Sequence, residues 1–339
     1  MKAVVYGHKI FSYDLAWGFE QLGWEAHVAN PSTVQDMDDL LARLSPELLI
    51  TLGAPLSLNR NILEYLSKRR TPNMTYVHWD TDGISSQLYR SVSGEGIEMD
   101  VINASKPDMV FTMCPEMLEF LKTKGIDSHR LDYAFCPINH HPAPPQKEYI
   151  GKIVLLGQSY LEIMLRSPDH YRYKSLGYLV RPLLESGYQV DFFGEPLRYR
   201  ALLQAMWKIN PPTEWFHPYL AYDNTHKLYS GAFINLATQN HRHTITKRTF
   251  EILGSGGFLL SADNAAIREH FVPGRDLEVT SSASQTLEIV EYYKKNPDKY
   301  IAIRANALKT IQNHTYKQRA ESIVNAVTAY RSSAIKTGA

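Results

Sequence analysis

The chain is 339 residues long, with 44% apolar and 21% charged side chains and 36 basic residues against 35 acidic ones. That length exceeds one ordinary hydrophobic core and suits two domains of about 150 residues each. The near balance of charge lacks the electrostatic footprint of a dedicated nucleic-acid binder, and no apolar run is long enough for a transmembrane segment.

Residues 1–7, Met1-Lys2-Ala3-Val4-Val5-Tyr6-Gly7, hold too short an apolar stretch for a signal peptide and read as a first buried strand, so a cytoplasmic protein is expected. Further apolar runs follow at residues 26–29, 48–52, 74–79, 109–113 and 131–135, separated by amphipathic stretches such as residues 13–22 and 62–68. That alternation is the pattern of a parallel sheet covered by helices. The turn after the first strand, Gly7-His8-Lys9, has no G-x-G-x-x-G fingerprint, which speaks against a nicotinamide or flavin cofactor. Tyr76-Val77-His78-Trp79-Asp80-Thr81-Asp82-Gly83 ends a strand in an Asp-x-Asp pair, a pattern that can hold a divalent cation on a diphosphate. The pattern is also short and common by chance. His78, Asp80 and Asp82 fit equally well as polar groups at the C-terminal end of a strand, where ligands of such sheets bind. The two cysteines, Cys114 and Cys136, lack metal-ligand spacing and support neither a disulfide framework nor a zinc site.

Four prolines between positions 137 and 145 preclude a helix and mark an extended connector. The expected division is a first domain at 1–138, a linker at 139–150, a second domain at 151–315 and a terminal helix at 316–339. The second half restarts with strand-like runs at residues 153–157, 189–194, 233–236 and 258–260. After the first of these, Gly157-Gln158-Ser159 is followed by Arg166, Arg172 and Lys174, ahead of a helix expected at 176–184. Glycine lets the backbone approach a phosphate, and basic side chains neutralise a departing diphosphate; surface ion pairs are the plainer role for the same cations. Residues 247–260 read as a short helix, a glycine cap and a buried strand. Lys247 and Arg248 near that helix's start suit a phosphate, and Glu251 one turn before its end suits the hydroxyls of a ribose. The alternative is an amphipathic helix with a solvated charged face.

From residue 233 on, Ile234-Asn235-Leu236, Arg248-Thr249-Phe250-Glu251-Ile252-Leu253-Gly254, Gly256-Gly257-Phe258-Leu259-Leu260, and His314-Thr315-Tyr316 with Arg319 resemble the CgeB-like spore-maturation glycosyltransferases. The resemblance is specific over residues 233–320 and loose before them. It implies an α/β protein of the GT-B type, with two Rossmann-like domains whose parallel sheets face each other across a cleft and a terminal helix that crosses back to the first domain. Position by position it implies Arg248 toward the diphosphate, Glu251 toward the ribose and residues 254–257 packed closely beside the nucleotide. Gly157, Gln158, Arg172, Lys174, Asn235, Lys247 and Gly254 complete the implied donor site. Retaining relatives carry a second glutamate eight positions before the ribose-binding one; here that position is His243, among the polar loop residues His241, Arg242, Thr244 and Thr246.

The resemblance places the Asp-x-Asp strand on the acceptor side. His78 or Asp80 is then the candidate general base of an inverting reaction, and His8, Tyr13 and Asp82 are candidate acceptor contacts. The implied activity is transfer of a hexose from a nucleoside diphosphate sugar, a UDP-hexose by analogy, to a hydroxyl of a glycan, protein or small molecule. Retention is expected over inversion, with no metal and no other cofactor. Two further readings stand beside it: a non-catalytic binder of nucleotide sugars or glycans, and a nucleotide-sugar epimerase of the same shape.

Overall fold

The computed structural model describes residues 1–53, 58–69, 71, 73–81, 96–167 and 169–337. The chain divides into two compact units, residues 1–133 with 315–339, and residues 134–314. Each is built on a six-stranded parallel sheet, which is how near-continuous apolar runs separated by helices can all be buried on both faces.

In the first unit the strands are β1 (Lys2–Gly7), β2 (Glu25–Ala29), β3 (Leu48–Leu52), β4 (Thr75–Asp80), β5 (Met109–Thr112) and β6 (Ser128–Arg130), in the order β2-β1-β3-β4-β5-β6. Val4, Tyr6, Leu49 and Tyr76 project from the sheet into a core with Ile62, Leu63 and Leu66 of the helix Arg60–Lys68. The terminal helix Tyr316–Thr337 belongs to this unit and packs on the helix Lys9–Glu20. The approach is close enough that a Cβ on Gly18 would lie 2.2 Å from the Tyr316 carbonyl oxygen. Arg319 secures the start of the terminal helix by donating to the Asp132 and Tyr133 carbonyls at 2.8 and 2.7 Å, and Arg331 secures its far part by donating to Thr75 Oγ1 at 2.8 Å.

In the second unit β7 (Ile153–Gly157), β8 (Val190–Gly194), β9 (Phe216–Pro218), β10 (Ile234–Ala237), β11 (Leu259–Ala262) and β12 (Glu278–Thr280) take the order β12-β11-β10-β7-β8-β9. Leu155, Phe192, Leu236 and Leu260 form its core with Leu176, Leu183 and Leu202 from the covering helices. Residues 139–150 are part of this unit: His140 Nε2 lies 3.1 Å from Thr225 Oγ1, and the Ala143 amide donates to Ser230 Oγ at 3.0 Å. No helix among the described residues is long and apolar enough to cross a membrane.

The sequence pattern and the structure part at three places. The apolar run at 131–135 is buried chain outside the ladder, and the polar Ser128–Arg130 takes the last place in the first sheet. An edge strand is held by backbone pairing on one side, so it needs no apolar pattern; β9 and β12, at the two edges of the second sheet, escape the pattern for the same reason. The helix expected at 176–184 is two helices, Tyr171–Leu179 and Arg181–Glu185, because Pro182 has no amide proton to continue the first.

His78 sits on β4 and is 2% exposed, 2.9 Å from Thr51 Oγ1 on the neighbouring β3. Burial pushes its imidazole down to about 4, so it is neutral in the fold at pH 7. An unfolded chain protonates this ring below about pH 6.5 while the folded one stays neutral until about pH 4, so stability falls as pH drops through that window. Relative to His78→Gln, the wild type is expected to lose about 3 kcal/mol of unfolding free energy between pH 7 and pH 4. Urea titrations of both proteins across that range check this; a pH-independent difference would show that the ring charges freely in the folded state.

Candidate functional site

In the second sheet the strand order reverses at β7, with β8 and β9 on one side and β10 to β12 on the other. Ligands of open α/β sheets bind beyond the carboxyl ends of the strands at such a point. β7 ends at Gly157, with φ +145°, and a Cβ there would lie 2.7 to 2.9 Å from the guanidinium of Arg248. Glycine therefore allows Arg248, from the helix Lys247–Gly254, to rest on the backbone at the end of β7.

A second guanidinium joins it. Arg172, on the helix Tyr171–Leu179, is 2% exposed and donates to the Gln158 carbonyl at 2.8 Å and to Asn240 Oδ1 at 3.0 Å. Its guanidinium also lies 4.6 Å from the ring centre of Tyr160, a residue held at the left-handed φ of +55°. The Tyr199 hydroxyl donates to the same Gln158 carbonyl at 3.1 Å. Burial pushes Arg172 below its ordinary pKa, and the proximity of Arg248 adds to that. Arg248 is held above its ordinary value against the effect of burial by Tyr229, Glu251 and Tyr199. Among the described residues neither guanidinium forms an ion pair with a carboxylate, and the Nε of each is buried without a hydrogen-bond partner. Buried cations are as a rule paired. Two together without an acid can neutralise an anion of high charge density such as a diphosphate.

One turn along the same helix stands Glu251, with Lys247 four residues before it on the same face. Lys247 Nζ donates to Glu251 Oε1 at 2.6 Å and the Tyr222 hydroxyl donates to that same oxygen at 3.0 Å; Lys247 also hydrogen-bonds the Tyr222 oxygen. His140 meets the Tyr222 ring edge-on at 5.0 Å. Burial alone would raise the Glu251 carboxyl, but Lys247, His140 and Arg248 outweigh it and hold the group at about 2. It is thus a charged acceptor at neutral pH.

The structure therefore brings Gly157, Gln158, Arg172, Lys247, Arg248 and Glu251 together around the end of β7. Lys174 is exposed on the helix whose buried side carries Arg172. Asn235, on β10, donates to the Tyr229 and Phe258 carbonyls at 3.0 and 3.1 Å, tying the helix Thr225–Gly231 to the start of β11. Gly254 meets the Phe135 ring, where a Cβ would lie 2.3 Å from the nearest carbon. His243 is exposed, its ring 5.6 Å from that of His241.

Several contributors escaped the sequence reading. Tyr222, His140 and Tyr229 reach the site from distant parts of the chain, and no local spacing marks them; Tyr160 directly follows the Gly157-Gln158-Ser159 turn. Gln239 is fully buried just after β10; it accepts from the Thr246 amide at 2.9 Å and donates to Thr249 Oγ1 at 3.0 Å and Ser261 Oγ at 2.9 Å. It fixes the loop that leads into the Lys247–Gly254 helix, and its one signal was a position immediately after an apolar strand.

In the first unit His78 and Asp80 point into the sheet's surroundings and are each 2% exposed; Asp80 accepts from Thr112 Oγ1 at 2.8 Å. His8 precedes the helix Lys9–Glu20, with its ring 4.6 Å from that of Phe11, and Tyr13 is exposed. Asp82 lies outside the described residues.

Two Rossmann-like units of this kind define the GT-B class of fold. The chain is similar over 97% of its length to sucrose-phosphate synthase from Thermosynechococcus elongatus, at 12% identity, with 99% of that chain covered and a TM-score of 0.65. HepE of Anabaena, solved with UDP and glucose, aligns with 97% of this chain and 100% of its own at 12% identity and a TM-score of 0.66. The lipopolysaccharide outer core galactosyltransferase WaaB aligns with 97% of this chain and 99% of its own at 12% identity and a TM-score of 0.54. A family model described as glycosyl transferase-like matches residues 175–325, a stretch that runs through most of the second unit. A search of curated proteins finds no match.

Gly254 is where packing and ligand contact are separable. Gly254→Ala drives a methyl group into Phe135 and is expected to cost about 1–3 kcal/mol, lowering the melting temperature by about 5 °C. Thermal melts and nucleotide titrations of the folded variant check this; weakened nucleotide binding without a change in melting temperature would instead place Gly254 against the ligand.

Proposed function

We propose that the chain is a glycosyltransferase of the CgeB-like group that moves a hexose from a UDP-hexose to an acceptor hydroxyl, with retention and without a metal ion. The observation that carries this reading is the pairing of the buried Arg172 with the half-buried Arg248, neither in an ion pair with a carboxylate among the described residues, beside a charged Glu251. The two cations supply charge that stabilises the diphosphate as the bond to the anomeric carbon breaks, and Glu251 accepts from the ribose. A protein-borne pair of positive charges makes a divalent cation dispensable for the leaving group. UDP as the nucleotide is supported by HepE, whose structure holds UDP and glucose.

Retention is favoured because the candidate bases of an inverting reaction are ill suited to the task. His78 and Asp80 are each 2% exposed and engaged by Thr51 and Thr112. His243, exposed on its loop, stands where retaining relatives carry a glutamate and would hydrogen-bond the transferred sugar. The acceptor would be a hydroxyl of a glycan, protein or small molecule. A cytoplasmic site of action accords with two buried, unbridged cysteines, Cys114 and Cys136.

Calorimetric titration with UDP, GDP and dTDP sugars in the presence of EDTA tests the reading. A UDP sugar is expected to bind, and Arg248→Ala or Glu251→Ala to weaken it about tenfold or more. Transfer to an added acceptor is expected to fall about a hundredfold in Arg248→Ala. Absence of binding by every nucleotide sugar, with or without magnesium, would remove the donor site. A new sugar formed from donor alone would show an epimerase, and binding without turnover a non-catalytic module.

A further inference from the structure

Resting on the reading of the second unit as a nucleotide-sugar site, the geometry points to a ribose contact made by a single carboxylate oxygen of Glu251, so that the protein reads one ribose hydroxyl and tolerates loss of the other. An ionised carboxylate has about four acceptor directions, two on each oxygen. On Oε1 both are taken, by Lys247 Nζ at 2.6 Å and the Tyr222 hydroxyl at 3.0 Å. Oε2 receives no donor among the described residues.

The occupants of Oε1 are not easily displaced. The Lys247 and Glu251 side chains are 8% and 9% exposed, and separating a buried ion pair leaves two uncompensated charges. Tyr222 is locked to the same pair, hydrogen-bonded to Lys247 with its ring 4.8 Å from the ammonium. A ribose hydroxyl offers only a neutral donor in exchange for the ammonium, so it goes to Oε2. A carboxylate with both oxygens open would instead accept the 2′ and 3′ hydroxyls side by side. The substrate class that follows is wider than ribonucleotide sugars alone: if the hydroxyl read is the 3′ one, 2′-deoxyribonucleoside diphosphate sugars enter the site as well.

The test is calorimetric titration of the full chain with UDP, 2′-deoxy-UDP and 3′-deoxy-UDP. One deoxy analogue is expected to bind within about threefold of UDP, and the other to bind about tenfold or more weakly, the worth of one hydrogen bond to a charged acceptor. Equal losses of tenfold or more for both analogues would overturn the single-oxygen contact while leaving the donor site in place. No loss for either would overturn it too, since Glu251 would then read neither hydroxyl. If UDP itself does not bind, the donor reading fails and this inference fails with it. Tyr222→Phe keeps the ring and the Lys247–Glu251 pair while opening one direction on Oε1. In this variant, and in Lys247→Met where it folds, the tolerated deletion is expected to become about threefold more costly. An unchanged selectivity in Tyr222→Phe would overturn the role given to the occupants of Oε1.

Discussion

Two guanidiniums brought together, one buried and one half-buried, with no carboxylate at ion-pair distance among the described residues, are the constraint around which the second unit is arranged. Removing a guanidinium from water is costly, and the usual remedy is a carboxylate at ion-pair distance. Arg172 is compensated instead by a backbone carbonyl, an amide oxygen and the face of Tyr160. Those partners satisfy donor directions without cancelling the charge. They also demand a particular backbone: Gly157 must leave room for Arg248, and the chain after it must turn its Gln158 carbonyl toward Arg172 and Tyr199. Glu195 holds that turn by accepting from the Ser159 amide and hydroxyl at 2.8 and 2.7 Å.

The helix Lys247–Gly254 carries both kinds of charge in one turn. Lys247 and Glu251 form an ion pair; Arg248, one residue on, lies against the end of β7 and feels Glu251 without pairing with it. The field at the end of β7 is therefore that of two guanidiniums, with a local dipole at its margin. The carboxylate stays ionised because its neighbours outweigh its burial, and burial makes each of those neighbours matter more than it would in water. Gln239, reaching from the end of β10 to the loop before this helix and to β11, fixes where the helix begins and hence where all three side chains stand.

What was legible in the sequence was whatever depends on local order. Alternation of apolar runs and helical stretches is a direct consequence of a parallel sheet buried on both faces, so the two-sheet α/β architecture could be read from it. Gly157, Arg172, Arg248 and Glu251 could be picked out because a glycine after a strand, cations ahead of a helix and a helix of mixed charge are patterns within a few residues. Edge strands such as Ser128–Arg130 could not, because backbone pairing with one neighbour holds them whatever their side chains. Nor could Tyr222 or His140, which reach Glu251 across 29 and 111 positions and announce nothing locally. Lys174 and Arg172 looked interchangeable in sequence; two positions on a helix turn the side chain by about 200°, which is the difference between the exposed and the buried face.

The two units are both six-stranded parallel sheets with different strand orders, and they differ in what they place where the order reverses. The first strand of each ends on a glycine: a Cβ on Gly7 would lie 1.8 Å from the Leu52 carbonyl oxygen of β3, whereas one on Gly157 would lie 2.7 Å from the Arg248 guanidinium. Each strand end is an opening at the carboxyl edge of its own sheet. Beyond Gly157 come the guanidiniums; beyond Gly7 come the rings of His8, Phe11 and Tyr133, tilted against one another with centres 4.6 and 5.2 Å apart. Among the described residues the one carries guanidiniums and the other aromatic rings. Solved neighbours at 12% identity share the fold that makes such openings, so the fold by itself is indifferent to what enters them. The side chains decide, and in the second unit a buried Arg172 beside a half-buried Arg248, with no carboxylate at ion-pair distance among the described residues, favours an anion.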